Sequence, residues 1–279
     1  METKGLSEET IMAEACCGHD FEKKPELTEE ERNIIRAAKV KSIWLKRMMS
    51  LGLSAKIAYE GGEAVGFIEY MPIELSNYHR GEDLTILNCI CAPHTAPFPD
   101  APKIKRIPGC GNALVKAMIQ DVKDKCKGIV TPFGFGYTFD MKAFFGKFGF
   151  EEFENEGLKM LIKRFGVVQL PSPVRFERKY KSEHVEGKVV VNVFWSSICP
   201  IIGPWTLFNV REVCEEFGDE VIVSDICLDD REALMKYGIK RRSRVFFDGK
   251  PAEFLGPPEK EEIRNKLKET LKARETHSR

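Results

Sequence analysis

The stretch from Ala92 to Gly111 constrains this chain more than any other, because five prolines fall between Ala92 and Pro108 and the run ends in Gly109-Cys110-Gly111. Proline fixes φ and has no N–H, so this stretch can be neither a regular helix nor a central strand and must be a long loop. The apolar segment Leu84 to Cys91 before it reads as a strand. After it, Leu114, Val115, Met118, Ile119 and Val122 recur at helical spacing, which predicts an amphipathic helix ending near Lys127 and Gly128. At a strand-loop-helix junction, glycines let the backbone approach an anion, and the first N–H groups of the helix point at it. Arg106, Ile107, Gly109, Cys110, Gly111, Asn112 and Ala113 would then hold a diphosphate. The alternative is a tight turn with no ligand, and Pro108 removes one donor from the cradle.

The flanking pattern supplies strands and helices in alternation. Thr28 and Glu31 have capping-box spacing, and Ile34, Ile35, Ala38, Ile43, Leu45 and Met48 continue through one or two helices that stop at Gly52. Ala55 to Tyr59, the turn Glu60-Gly61-Gly62-Glu63 and the strand Ala64 to Met71 read as a hairpin. Ile129 to Phe133 is a strand, Met141 to Lys147 a short helix and Leu158 to Phe165 a last strand. Gly166 to Gly187 has no period and reads as a linker. Beyond it the order is strand Val189 to Trp195, helix Pro204 to Phe217, strand Glu220 to Ile226, helix Asp230 to Tyr237, strand Arg244 to Phe247 and helix Glu259 to Ala273. The expectation is an α/β chain in two parts, a domain over residues 1–166, a linker over 167–187 and a smaller α/β domain over 188–279.

Charge narrows the partners. Lysine plus arginine numbers 43 and aspartate plus glutamate 43, so no net field draws the chain to nucleic acid or to an anionic membrane. Met1 to Met12 lacks the apolar core of a secretion signal, and no apolar run approaches the roughly 20 residues needed to span a bilayer, so a cytoplasmic location is expected. Nine cysteines without framework spacing point to reduced thiols.

Taken together, the hairpin, the glycine loop, the helix and the segment Phe144-Phe145-Gly146-Lys147-Phe148-Gly149-Phe150 resemble the GNAT acyltransferase superfamily. That family's loop is Arg or Gln, two variable residues, Gly, one variable residue, then Gly or Ala, and a later motif is aromatic-x-Lys-x-Gly-Phe. The resemblance implies an α+β fold, acetyl-CoA (coenzyme A) gripped at Arg106 to Ala113, and a small-molecule or peptide amine as acceptor. It further implies that Cys89, Ile90 and Cys91 lie on the strand whose backbone amides polarise the thioester carbonyl. Phe145 stands, beside the cofactor, where many members carry a tyrosine acid. Glu69, which shares a strand face with Phe67 and Met71, is either a solvent-exposed residue or a base with a raised pKa. Tyr137 is either a packed aromatic or a substitute acid.

A wider set of residues, Ala15-Cys16-Cys17, Trp44-Leu45-Lys46, Phe67-Ile68-Glu69-Tyr70, Leu87-Asn88-Cys89, Gly109 to Leu114 and Ile198-Cys199-Pro200, is similar to the YoaP-like branch of that superfamily. This branch joins an acetyltransferase domain to a short thioredoxin-like tail. Cys199 would then be the tail's reactive thiol at a strand-to-helix junction, without a resolving cysteine, since the motif reads Cys199-Pro200-Ile201-Ile202. The tail either uses that thiol or serves as a structural and binding module. Cys16, Cys17 and His19, with Cys89, Cys91 and His94, have the chemistry of metal ligands, but their spacing favours inert thiols and no metal.

Overall fold

The computed structural model describes residues 1–15, 26–92, 107–132, 140–177, 179–239, 243–254 and 256–277. They form a mixed α/β architecture in two compact units, Met1–Glu26 with Leu45–Val174 and Leu27–Trp44 with Arg175–Arg279. No described helix is long and apolar enough to cross a membrane.

The first unit is built on a seven-stranded sheet. Its elements are β1 (Glu2–Gly5), α1 (Ile11–Ala15), the end of α2 (Glu29–Leu51), β2 (Ser54–Glu60), β3 (Glu63–Pro72), β4 (His79–Arg80), β5 (Leu84–Cys91), α3 (Cys110–Val122), β6 (Gly128–Pro132), α4 (Met141–Gly146), β7 (Glu151–Asn155), β8 (Leu158–Arg164) and β9 (Ser172–Pro173). Within the sheet the order is β1-β2-β3-β5-β6-β8-β7, while β4 and β9 form a small separate ladder. Every pairing in the large sheet is antiparallel except β5 with β6.

Local chemistry accounts for most of these elements. The amide of Thr28 donates to Glu31 Oε2 at 3.0 Å and that of Glu31 to Thr28 Oγ1 at 3.2 Å, a reciprocal cap that starts α2. What the apolar pattern leaves as one or two helices is a single α2, and Gly52, at φ +114°, ends it. Gly61 and Gly62 have φ of +61° and +87°, the double left-handed turn that matches the twist of a two-residue hairpin between β2 and β3. Leu114, Val115, Met118 and Val122 of α3 are buried against Ile68, Tyr70, Leu87, Ile129 and Phe145 in one core.

Two strands of the large sheet lie outside the sequence reading. β1 and β7 are the terminal strands of the sheet, and along β7 only Phe153 is buried. Edge strands need little apolar surface and tolerate charge, so Glu151, Glu152 and Glu154 leave no alternation to read.

The second unit, besides most of α2, holds β10 (Val189–Trp195), a wide turn over Ile201–Trp205, α5 (Thr206–Glu215), β11 (Val221–Cys227), α6 (Arg231–Tyr237), β12 (Ser243–Phe247), β13 (Lys250–Pro251) and α7 (Lys260–His277). Its sheet runs β11-β10-β12-β13. β10 is parallel to β11 and antiparallel to β12, which is antiparallel to β13. The helix expected from Pro204 starts instead as a wider turn, with Trp205 N–H on Pro200 O at 2.9 Å, and becomes α-helical at Thr206. Pro204 has no N–H to give an earlier regular turn. The segment before β10 packs on its sheet: Tyr180 donates to Asn192 Oδ1 at 2.6 Å, and its ring lies 5.0 Å from Phe194 and 4.6 Å from Phe246.

Candidate active site

β5 and β6 run parallel but pair only at Leu84 with Gly128, Thr85 with Ile129 and Ile86 with Val130. Past those three pairs β5 continues to Cys91 and β6 to Pro132 without a shared ladder, so the sheet forks. Backbone amides in the open arm of such a fork can serve a ligand.

The N-terminus of α3 is set beside the same arm. Gly66 of β3 is the contact point: a Cβ there would sit 2.7 Å from the Cys91 carbonyl oxygen and 2.9 Å from Cys110 Sγ. The missing side chain is what lets α3 approach β3 and β5. Cys110 Sγ lies 3.8 Å from the Val65 carbonyl oxygen and is buried, and burial pushes its thiol up to about 11. This thiol is a packing group and is unsuited to nucleophilic work near neutral pH.

The glycine loop itself ends in Gly109 at φ +87°, the left-handed N-cap of α3. Among the described residues nothing lies within 4 Å of a Cβ built at Gly109, so its left-handed φ is what calls for glycine there. The Cys110 amide bonds Ile107 O at 3.3 Å and the Ala113 amide bonds Gly109 O at 2.9 Å. Among the described residues no backbone carbonyl accepts from Gly111 or Asn112, which leaves those two N–H groups for an anion. Phe144 covers Gly111, where a Cβ would come 3.2 Å from the ring, while Phe145 is fully buried in the core with its ring 5.0 Å from Phe144 and 5.2 Å from Phe150. The ring that reaches the loop is thus Phe144, and Phe145 supports it from beneath.

On the opposite face of the sheet lies Glu69, with no exposed surface. Its neighbours in β3, Ile68 and Tyr70, belong to the core beneath α3, so alternation turns Glu69 away from that helix. Asn88 Nδ2 donates to Glu69 Oε1. Of the two readings open for Glu69, the exposed strand residue is therefore excluded by its burial. Tyr70, on the α3 side, donates to Asp121 Oδ2, and burial with that carboxylate raises the tyrosine above its ordinary range. For Asp121, burial pushes the carboxyl up, but the bonds from Tyr70 and Lys125 and the charges of Lys56 and Lys125 outweigh it and hold the group below the usual value.

The structure thus brings together Cys89, Ile90, Cys91, Ile107, Gly109, Cys110, Gly111, Asn112 and Ala113 around the fork, with Glu69 on the sheet beside them. Arg106, Tyr137, Cys16, Cys17, His19 and His94 lie outside the described residues. Among the described residues, no group of three or more metal-ligating side chains is placed to hold an ion.

No family model matches this sequence, and no curated protein does. Solved structures do resemble it. A ribosomal-protein-alanine N-acetyltransferase from Brucella melitensis is 18% identical with a TM-score of 0.39, over 58% of this chain and 97% of its own. A PaiA N-acetyltransferase from Thermoplasma acidophilum, in complex with coenzyme A, is 16% identical with a TM-score of 0.37, over 59% of this chain and 99% of its own. A GNAT family acetyltransferase from Brucella melitensis, in complex with acetyl-CoA, is 13% identical with a TM-score of 0.34, over 61% of this chain and 92% of its own. Identity and TM-score are low in all three, so function has to be argued from this chain's own geometry.

Cys199 belongs to the second unit, in the turn that leaves β10. Asp229 shapes this turn, accepting from Ser196 Oγ and from the Ser197 amide, each at 2.8 Å. Gly203 closes it, because a Cβ there would lie 1.9 Å from the Ser196 carbonyl oxygen. Cys199 itself is half-buried, and its carbonyl accepts from Gly203 at 2.9 Å.

Two site residues escaped the sequence reading in their roles. The sequence places Asn88 only at the strand end, and Phe144 only within a motif. Neither carries a local signal, because Asn88 reaches Glu69 through strand pairing and Phe144 reaches Gly111 through the packing of α4 near α3.

Proposed function

We propose that this chain is an acetyl-CoA-dependent N-acetyltransferase of the GNAT type, transferring an acetyl group to the amine of a small molecule or peptide. One observation carries the reading: the forked parallel pair β5 and β6 has the N-terminus of α3 packed against its open arm, with Gly109 left-handed and the Gly111 and Asn112 amides available. A fork of this kind admits an extended chain edgewise, and a helix N-terminus favours a diphosphate. The donor supplies an acyl carbon activated as a thioester.

The chain's own groups divide the remaining work. Gly111 and Asn112 orient the diphosphate, and the thioester carbonyl lies along the Leu87 to Cys91 part of β5, past its last pair with β6, where a backbone amide would stabilise the charge that grows on its oxygen. Glu69, buried on the face away from α3, or an ordered water receives the proton of the attacking amine. No tyrosine stands at Phe145 to protonate the departing thiolate, which takes its proton from water.

For the second unit, the strand order β11-β10-β12-β13 with one parallel and two antiparallel pairings supports reading residues 188–279 as a thioredoxin-like unit. The motif Cys199-Pro200-Ile201-Ile202 has no second cysteine, which favours a binding or structural module over a disulfide reductase.

The test is calorimetric titration with acetyl-CoA, followed by thiol release in the presence of primary amines. Saturable binding with amine-dependent release is expected, and no heat at millimolar acetyl-CoA would refute the reading.

A further inference from the structure

We propose that Asn88 is a positioning residue whose carboxamide holds the Glu69 carboxylate in the orientation that receives the proton of the attacking amine, an inference that rests on the acetyltransferase reading above. A strand that alternates strictly would turn Leu87 and Ile90 to opposite faces. Here Leu87 is in the core beneath α3 and Ile90 packs against the same core. The pairing explains it: Glu69 faces Cys89 and Tyr70 faces Leu87, so β5 carries one additional residue, Asn88, at this point. A bulge of this kind re-aims a side chain at the cost of regular ladder bonds.

What it aims is a hydrogen-bond donor at a buried carboxylate. Glu69 is fully buried and Asn88 nearly so, and the Asn88 Nδ2 donates to Glu69 Oε1. An amide N–H donor fixes the direction of the carboxylate oxygen that accepts from it. The bulge also lies just past Ile86 with Val130, the last pair before β5 leaves β6. Bulge, carboxamide, buried carboxylate and open fork therefore coincide at one place on the sheet.

In the step this serves, the amine nitrogen forms its bond to the acyl carbon. The carbon–sulfur bond breaks with its electron pair on sulfur, the nitrogen's proton passes to Glu69, and the thiolate leaves and is protonated by water. Asn88 touches neither reactant; it acts through Glu69.

The experiment uses the full chain with acetyl-CoA as donor and n-propylamine as probe acceptor, comparing Asn88→Ala, Glu69→Gln and the double variant. Asn88→Ala is expected to lower kcat by about tenfold to a hundredfold with KM for acetyl-CoA within about twofold, and to add nothing on the Glu69→Gln background. A purely structural role would give losses that add. Infrared bands of the Glu69 carboxyl, identified as those lost in Glu69→Gln, provide a readout that needs no turnover, and Asn88→Ala should shift them. Melting curves report whether each variant folds, and Asn88→Ser, which keeps a short donor, replaces Asn88→Ala if the latter does not. Unchanged kcat, additive losses or unshifted Glu69 bands would overturn the proposal while acetyl-CoA binding leaves the acetyltransferase reading standing. A wild-type chain that neither binds nor turns over acetyl-CoA would overturn both.

Discussion

Asn112→Glu separates the anion cradle from the fold, because the same charge should help one and harm the other. Asn112 is exposed and is the third residue of α3. A carboxylate in the first turn complements the helix dipole and is worth about 0.3–1 kcal/mol of added stability. A diphosphate seated on the Gly111 and Asn112 amides would meet that carboxylate at roughly 6 Å. With an effective dielectric constant of about 40, repulsion is about 1.4 kcal/mol per unit charge, or about 3 kcal/mol against two charges. Affinity for acetyl-CoA should therefore fall about a hundredfold while the melting temperature holds or rises. Calorimetric titration and thermal unfolding of wild type, Asn112→Glu and the neutral control Asn112→Gln measure both quantities. The loss should shrink as salt is raised, since the charges are near the surface. Equal affinity in wild type and Asn112→Glu would refute the cradle, and a weakened variant that also melts earlier would refute the assignment of the loss to charge.

Gly66→Ala would force a Cβ to 2.7 Å from the Cys91 carbonyl oxygen, a backbone atom, and should cost about 1–3 kcal/mol in urea unfolding. Wild-type stability in that variant would contradict the close approach of α3. Tyr70→Phe removes a hydrogen bond to Asp121 and should destabilise by about 1–2 kcal/mol near neutral pH. Because the Asp121 carboxyl is held below its ordinary value of 3.8, its contribution is present above that pH and is lost as pH falls through the lower folded value. Tyr70→Phe should flatten this acid limb, and denaturant melts at stepped pH will show whether it does. The Cys110 thiol is pushed up to about 11 and the Cys214 thiol to about 12, in both cases mainly by burial. Both should resist a thiol reagent at pH 8 in the native chain and react on unfolding; fast native labelling mapped to either by mass spectrometry would count against their burial.

Much of the architecture was legible because its determinants are local. The Thr28 and Glu31 cap, the Gly61-Gly62 turn and the apolar stripe of α3 each depend on residues within a few positions of one another. The Ala92 to Pro108 stretch, which proline chemistry excludes from a regular helix or central strand, lies mostly outside the described residues. The edge strands β1 and β7 were not legible, since a strand with one neighbour and little burial has no periodic signature.

The candidate site divides in the same way. The glycine loop could be found from spacing, and Gly109 does take the left-handed conformation that only glycine adopts freely. Whether Glu69 is exposed, which amides remain after Cys110 and Ala113 bond within the loop, and whether Phe144 or Phe145 reaches Gly111 were all decided by tertiary packing. The fork between β5 and β6 and the bulge that turns Asn88 onto Glu69 depend on register between strands distant in the chain. Register is a property of pairs of segments, set by which faces they can bury together, and no single segment encodes it alone.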